Sequence, residues 1–322
     1  MAPVRIAVLD DYQDIALRSA DWEVLRERAD VAEIRVLREH LDPDRLVAEI
    51  GDCEVVVAMR ERTAFPRGVL ARLGSLRLLV TTGMINASID LEAAAAQGVT
   101  VCGTSGRGPD TAELAWALVM DLVRGVTAAD RGVRDGRWQT GVPGRRLEGL
   151  VVGLVGLGGI GTQVARYAHA FGCAVRAWSP NLTEERAAAV GVRAVGKDEL
   201  FAGSDVVSIH LKLSERSRGL VARPELELVG PGGYLVNTSR GPIVVEDDLV
   251  AALRDGVIAG AALDTFDVEP LPADHPLRAE PRAVLTPHLG YVTAEVMSVF
   301  HGDAVADVVS WLDGAPVRVL GT

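Results

Sequence analysis

Three ionisable residues in the second half of the chain have types and spacing that suit proton transfer beside a held carboxylate. Arg240 stands in Asn237-Thr-Ser-Arg-Gly-Pro242, Glu269 in Asp264-Thr-Phe-Asp-Val-Glu-Pro270 and His288 in Thr286-Pro-His-Leu-Gly290. An arginine offers a planar, two-pronged donor that matches a carboxylate. A histidine carries a proton near neutral pH, and a neighbouring glutamate stabilises its imidazolium and raises its pKa. These are parts for hydride transfer to a 2-keto acid: the carboxylate is held, the carbonyl polarised, and a proton delivered to oxygen as hydride reaches carbon. In the reverse direction the histidine is the base. Each residue alone has a plainer use, because an Arg or Glu in such a loop is commonly an ion-pair residue and a His after Thr-Pro serves equally well in a turn. Their order beyond a glycine turn is the feature that points to chemistry.

That turn ends Leu150-Val-Val-Gly-Leu-Val-Gly-Leu-Gly-Gly-Ile-Gly161, a run of apolar β-formers broken by Gly156, Gly158 and Gly161 in G-x-G-x-x-G spacing. Helical periodicity follows from Thr162 to Phe171. A strand feeding a glycine turn into a helix aims unpaired amides at one point. Gly156 permits the tight turn, Gly158 lets a pyrophosphate approach the backbone, and Gly161 lets helix pack on strand. Gly159 and Ile160 complete this cofactor cradle, and Thr238 joins the set from the end of a later strand.

The elements that must position these groups alternate. Strand-like runs at Val4 to Leu9, Ile34 to Leu37, Glu54 to Met59, Leu76 to Thr81 and Val99 to Cys102 are separated by amphipathic segments such as Leu41 to Ile50 and Ile89 to Gln97. Such alternation builds a parallel sheet of about five strands with helices on both faces. None of these strands ends in a glycine-rich phosphate turn. The connection Gly103 to Asp110 marks a hinge, and Asp110 with Glu113 has the spacing of a capping box opening one long helix from Thr111 to Arg134. A second alternating unit then carries the glycine turn and strands at Ala174 to Trp178, Asp205 to Leu211, Tyr234 to Thr238, Ile258 to Leu263 and Ala283 to Thr286. Arg240, Glu269 and His288 come after three successive strands of it, at the carboxyl ends where open α/β sheets bind ligands. A final helix, about Thr293 to Leu312, returns to cover the first unit and makes it discontinuous. The expected architecture is therefore α/β, with two Rossmann-like or flavodoxin-like domains: residues 1–103 plus 290–322, and residues 104–289 between them.

Composition narrows the function classes. The chain has 322 residues, 48% hydrophobic and 24% charged, and a net charge of −11 from 44 acidic and 33 basic residues. That surface repels phosphate backbones and anionic lipid, so neither nucleic acid nor membrane is an expected partner. Met1 leads straight into a strand, with no basic and apolar leader, which predicts a cytoplasmic protein. Cys53, Cys102 and Cys173 are scattered among apolar residues and read as small buried hydrophobes; no metal site is expected.

The stretch from Leu147 to Gly290 resembles the D-isomer-specific 2-hydroxyacid dehydrogenases. The resemblance rests on Gly153-Leu-Val-Gly-Leu-Gly-Gly-Ile-Gly161, Asn237-Thr-Ser-Arg-Gly241, Ala262-Leu-Asp-Thr-Phe-Asp-Val-Glu-Pro270 and Thr286-Pro-His-Leu-Gly290, in the family's order. It implies a substrate domain formed by both chain ends, a nucleotide domain between, and catalysis in the cleft. Arg240 then matches the substrate-binding and carbonyl-polarising arginine, His288 the acid/base, Glu269 its partner, and Asp264 the aspartate on the nicotinamide side. Arg60, Thr82, Gly83 and Met84 fall where the family holds the carboxylate through an arginine and backbone amides. His210 lines up with a family histidine near the cofactor, a structural role being equally compatible with its position. A homodimer is implied, through the arm that carries Trp138, with packing inside the chain as the alternative for that residue.

Two departures from the family pattern stand out. The strand Ala174 to Trp178 ends in Ser179-Pro-Asn181 instead of the carboxylate that binds a ribose hydroxyl, and Lys212 replaces the usual proline. NAD is the expected cofactor, with Ser179 or Asn181 on the ribose and Glu184 and Glu185 weighing against NADP, which is not excluded. Met84, Ile85, Trp116 and Tyr291, if they line the cleft, suit an apolar or hydroxymethyl side chain such as that of lactate-like acids or hydroxypyruvate; glyoxylate is also in view, and a phosphoglycerate-like acid if Arg60 and Arg62 meet a phosphate. Corepressors related to C-terminal binding protein resemble this scaffold too, and imply an alternative: a dinucleotide-gated interaction module without significant turnover. Such proteins carry long disordered tails, whereas here the sequence stops within ten residues of the final helix.

Overall fold

The computed structural model describes residues 3–106, 108–139, 141 and 143–321. It contains two compact units, Met1–Gly108 with Thr293–Thr322, and Pro109–Val292.

The first unit is built on β1 (Val4–Val8), β2 (Val31–Val36), β3 (Val55–Ala58), β4 (Leu78–Thr81) and β5 (Thr100–Gly103), all parallel and ordered β2-β1-β3-β4-β5. The inner strands read as continuous Val, Leu and Ala because both faces are covered, as parallel sheets require. Ile6, Val8, Val55 and Val57 face one core with Trp22 and Leu25, whereas Ala7, Val56 and Ala58 face another with Leu46, Phe65 and Leu70. The helix Ala294–Leu312, opened by Thr293 Oγ1 accepting the Val296 amide at 3.3 Å, lays Ala304, Val305 and Val308 on the first of these faces. The chain end stays with it: the Leu320 amide donates to the Val101 carbonyl at 2.8 Å.

The second unit holds β6 (Val151–Val155), β7 (Ala174–Trp178), β8 (Arg193–Ala194), β9 (Val206–Ile209), β10 (Tyr234–Asn237), β11 (Gly260–Leu263) and β12 (Ala283–Leu285). They form one parallel sheet ordered β12-β11-β10-β9-β6-β7-β8. The chain crosses from β7 and β8 back to β9 on the other flank of β6, which makes the carboxyl end of β6 the switch point where such sheets bind ligands.

Three sequence expectations change. The single helix from Thr111 to Arg134 is two, Asp110–Arg124 and Val126–Arg134, because Gly125 takes a left-handed φ of 66° and Asp121 caps the second through the Thr127 amide at 2.8 Å. Asp110 is the first helical residue and Pro109 the cap position, so there is no Asp110 capping box. The two-residue strand β8 has too little sequence for an alternating pattern to register. Cys53, Cys102 and Cys173 are free and buried, and burial pushes the first two thiols up to about 12. Among the described residues no helix is long and apolar enough to cross a membrane.

Candidate active site

β6 ends at Val155 and the chain turns through Gly156 at a φ of 107°. A Cβ there would lie 2.8 Å from the His210 carbonyl oxygen, and one at Gly161 only 2.2 Å from that of Gly156, so both positions demand glycine. At Gly158 and Gly159 a Cβ would meet nothing within 4 Å. Their bareness leaves an open approach to the first-turn amides of the helix Gly159–Ala170, where Ile160 is also exposed. Those amides have no partners within the helix and attract an anion. Two buried polar atoms at neighbouring strand ends, His210 Nε2 after β9 and Thr238 Oγ1 after β10, lack partners as well. Burial pushes the His210 imidazole down to about 4, so it is neutral at physiological pH. Open glycines, unpaired amides and orphaned polar atoms fit a dinucleotide at this strand end. Ser179 and the exposed Asn181 come after β7, and Arg186 Nη1 donates to the Asn181 carbonyl at 3.3 Å.

Arg240, Glu269 and His288 lie just past β10, β11 and β12. His288 Nδ1 lies 2.6 Å from Glu269 Oε2, while Glu269 Oε1 accepts the Phe266 amide at 2.9 Å. Burial pushes the Glu269 carboxyl up, but the bond and charge of His288, the Phe266 amide and the charge of Arg240 outweigh it and hold the group below its usual pKa. An ionised carboxylate only accepts, so Nδ1 carries the hydrogen and Nε2 is the atom left for exchange. Tyr291 packs edge-on against the imidazole, with ring centroids 5.6 Å apart.

Arg240 is set by its own turn. Its Nη1 donates to the Ser239 carbonyl at 2.7 Å, and its carbonyl accepts Asn237 Nδ2 at 3.0 Å. The next residue, Gly241, is pressed on the Phe266 backbone, where a Cβ would stand 2.1 Å from the carbonyl carbon. That close approach brings the arginine turn against the loop carrying Glu269.

Asp264 organises the histidine loop. Its carboxylate accepts Thr286 Oγ1 at 2.7 Å, the Leu289 amide at 2.7 Å and the Gly290 amide at 2.9 Å, gripping the chain on both sides of His288. His288 itself has a φ of 55°, a conformation that persists only when its surroundings over-determine it. Asp264 has no exposed surface, and desolvation raises its pKa despite the three donors and the His288 charge.

In the first unit the carboxyl ends of β3 and β4 are tied together around Arg60. Arg60 has a φ of 52°; its amide donates to Thr82 Oγ1 at 2.9 Å and its carbonyl accepts Asn86 Nδ2 at 2.7 Å. Its guanidinium lies over Gly83, where a Cβ would come 2.3 Å from Nη1. The Thr82 amide donates to the Ala58 carbonyl at 3.0 Å and the Gly83 amide to Thr104 Oγ1 at 2.8 Å.

Residues 116–290 match the family model described as D-isomer specific 2-hydroxyacid dehydrogenase, NAD binding domain. A D-3-phosphoglycerate dehydrogenase of Bacillus subtilis is 34% identical over 80% of this chain and 50% of its own length. A glyoxylate reductase of Aeropyrum pernix is 36% identical over 76% of each chain. The chain belongs to the D-isomer-specific 2-hydroxyacid dehydrogenase family. It spans about half the length of the D-3-phosphoglycerate dehydrogenases it matches. A crystal structure of a phosphoglycerate oxidoreductase from Vibrio cholerae superposes with a TM-score of 0.89 at 31% identity, over 97% of this chain and 100% of the other.

The structure of this family member gathers Arg240, Glu269 and His288 at adjacent strand ends and leaves Gly158 and Gly159 open. It also redirects several expectations. The amides of Thr82 and Gly83 donate within their own unit, to the Ala58 carbonyl and to Thr104 Oγ1. Trp116 is a core residue packed against Phe171, with ring centroids 5.2 Å apart. Trp138 is 77% exposed, which removes packing inside the chain as its role. Sequence reasoning missed Asn86, Thr104 and Arg186. Arg186 could have been found by its place in the turn of helix after β7; the other two act through partners 26 and 21 residues away, which no local pattern marks.

Proposed function

We propose that this chain is an NAD-dependent oxidoreductase that interconverts a D-2-hydroxy acid and its 2-keto acid. The observation that carries the reading is the 2.6 Å contact between His288 Nδ1 and Glu269 Oε2, at the carboxyl end of the sheet whose first turn is the glycine cradle. A nicotinamide dinucleotide held at the Gly156–Gly161 turn would supply hydride to the substrate's second carbon, or take it up in the reverse direction. Glu269 fixes the Nδ1 hydrogen, so Nε2 gives a proton to the carbonyl oxygen in reduction and takes it from the hydroxyl in oxidation. Arg240 presents its fork to the substrate's carboxylate and carbonyl oxygens. Asp264 acts through the loop that aims His288. Arg60, with the Met84 amide, is assigned to the substrate carboxylate.

Glyoxylate and phosphoglycerate-like acids are the substrates to which the named relatives point, and hydroxypyruvate joins them from the sequence reading. Ser179 and Asn181 suit an unphosphorylated ribose and favour NAD, while Arg186 beside Asn181 offers a 2′-phosphate some support. The exposed Trp138 supports a homodimer, and three free, buried cysteines suit the reducing cytoplasm.

The test is nicotinamide absorbance with glyoxylate, hydroxypyruvate, pyruvate, phenylpyruvate and phosphohydroxypyruvate against both reduced cofactors. Turnover of at least one supports the reading. Tight cofactor binding without turnover of any would replace it with a dinucleotide-gated interaction module.

A further inference from the structure

The carboxyl ends of β1 and β3 in the first unit concentrate charge, and its pairing limits which anion can be held there. Asp10, 2% exposed with a left-handed φ of 56°, accepts Thr63 Oγ1 at 2.7 Å and the Tyr12 hydroxyl at 3.2 Å. His40 Nδ1 lies 3.9 Å from the same carboxylate, which raises the imidazole's pKa. Arg62 is drawn onto this group: its Nη1 donates to the Asp10 carbonyl at 2.7 Å, and its guanidinium carbon sits 4.6 Å from the centroid of the Tyr12 ring. Arg60 Nε has Glu61 Oε2 at 3.6 Å. The Asp11 carboxylate accepts the Ile15 and Ala16 amides, both at 3.0 Å.

Arg60 and Arg62 therefore have Asp10 and Glu61 against them. A protonated His40 leaves these groups with a single net positive charge. A 2-keto acid presents one negative charge, which the Arg60 fork can meet. A phosphorylated acid adds close to two more, together with acceptor oxygens that call for several cationic donors. Arg62, the second guanidinium that could serve it, is turned to Asp10 and Tyr12, and Glu61 repels it.

Resting on the assignment of Arg60 to the substrate carboxylate, we infer that the substrate is a monoanionic 2-hydroxy acid with no phosphate group. Glu61 and the tethering of Arg62 by Asp10 and Tyr12 set that preference. The corresponding phosphorylated acids are bound poorly, although relatives of which this chain spans about half are named for 3-phosphoglycerate.

The full chain is tested in two ways. Initial rates compare hydroxypyruvate with phosphohydroxypyruvate at saturating NADH, and thermal shifts with NAD present compare D-glycerate with 3-phosphoglycerate. The expected outcome is a kcat/KM at least about 10-fold higher for hydroxypyruvate, and a larger shift with D-glycerate. Glu61→Gln narrows the ratio of the two kcat/KM values several-fold, and Tyr12→Leu, which removes the ring under the Arg62 guanidinium, moves it the same way. A preference for phosphohydroxypyruvate, or a larger shift with 3-phosphoglycerate, overturns the inference while leaving the dehydrogenase reading intact. Absence of any turnover alongside a larger shift with D-glycerate sinks the dehydrogenase reading and supports the charge inference.

Discussion

The strand ends of the two units solve the same local problem with different chemistry. Each holds a non-glycine residue in a left-handed backbone, Arg60 at a φ of 52° and His288 at 55°, a conformation costing roughly 1–2 kcal/mol. Arg60 is pinned by neutral groups, Thr82 Oγ1 and Asn86 Nδ2. His288 is pinned through a buried carboxylate, that of Asp264, which accepts three donors around it. A neutral pin fixes shape and is indifferent to pH. An ionisable pin also places charge beside His288, and it ties the stability of that loop to pH. The difference matches the work assigned to each end: one holds a substrate group, the other moves a proton.

The largest expected effect comes from breaking the charged pin. Asp264→Leu leaves the Thr286 hydroxyl and the Leu289 and Gly290 amides without an acceptor, at a cost of roughly 3–5 kcal/mol in urea unfolding. It should also lower kcat about 100-fold, as His288 loses its orientation. Next, Thr82→Val removes one neutral pin, at a cost of roughly 1–2 kcal/mol. It should raise KM for the keto acid while largely sparing kcat. A Thr82 variant that lost kcat as heavily as the Asp264 variant would erase the distinction between the two ends.

The smallest effect is a slope. Because the folded pKa of Asp264 is raised, the folded chain binds a proton that the unfolded chain has already released. Its contribution to stability is thus fully present below the ordinary aspartate pKa and falls as pH rises towards the raised folded value. Urea midpoints of wild type relative to Asp264→Asn should decline as pH climbs from about 4 through that window. Thr82→Val, measured the same way, should show no such slope.

Much of this was legible in the sequence. Apolar runs, glycine spacing and polar residues just past strand ends located β6, β10, β11 and β12 to within a few residues and put Arg240, Glu269 and His288 at ligand-binding ends. Motifs mark the residues next to a strand end; they are silent about how far a side chain reaches across the fold. Hence Asp264 was placed correctly at the end of β11, yet its grip on the His288 loop 22 to 26 residues later was invisible. The Arg60 loop was harder still. Its pins, Thr82 and Asn86, lie past another strand end, 22 and 26 residues further along the chain. Gly125 was readable as a break only in hindsight, since one glycine inside an amphipathic pattern is tolerated as often as it ends a helix.

The central claim is that His288, oriented by Glu269, moves the proton during reduction of a 2-keto acid. It is tested most directly by His288→Ala, with kcat measured on the preferred keto acid and NADH affinity measured by fluorescence on the same preparation. The predicted result is a loss of about 10²- to 10⁴-fold in kcat with NADH affinity within about 2-fold of wild type. Undiminished turnover, or a collapse of NADH affinity in its place, would contradict it.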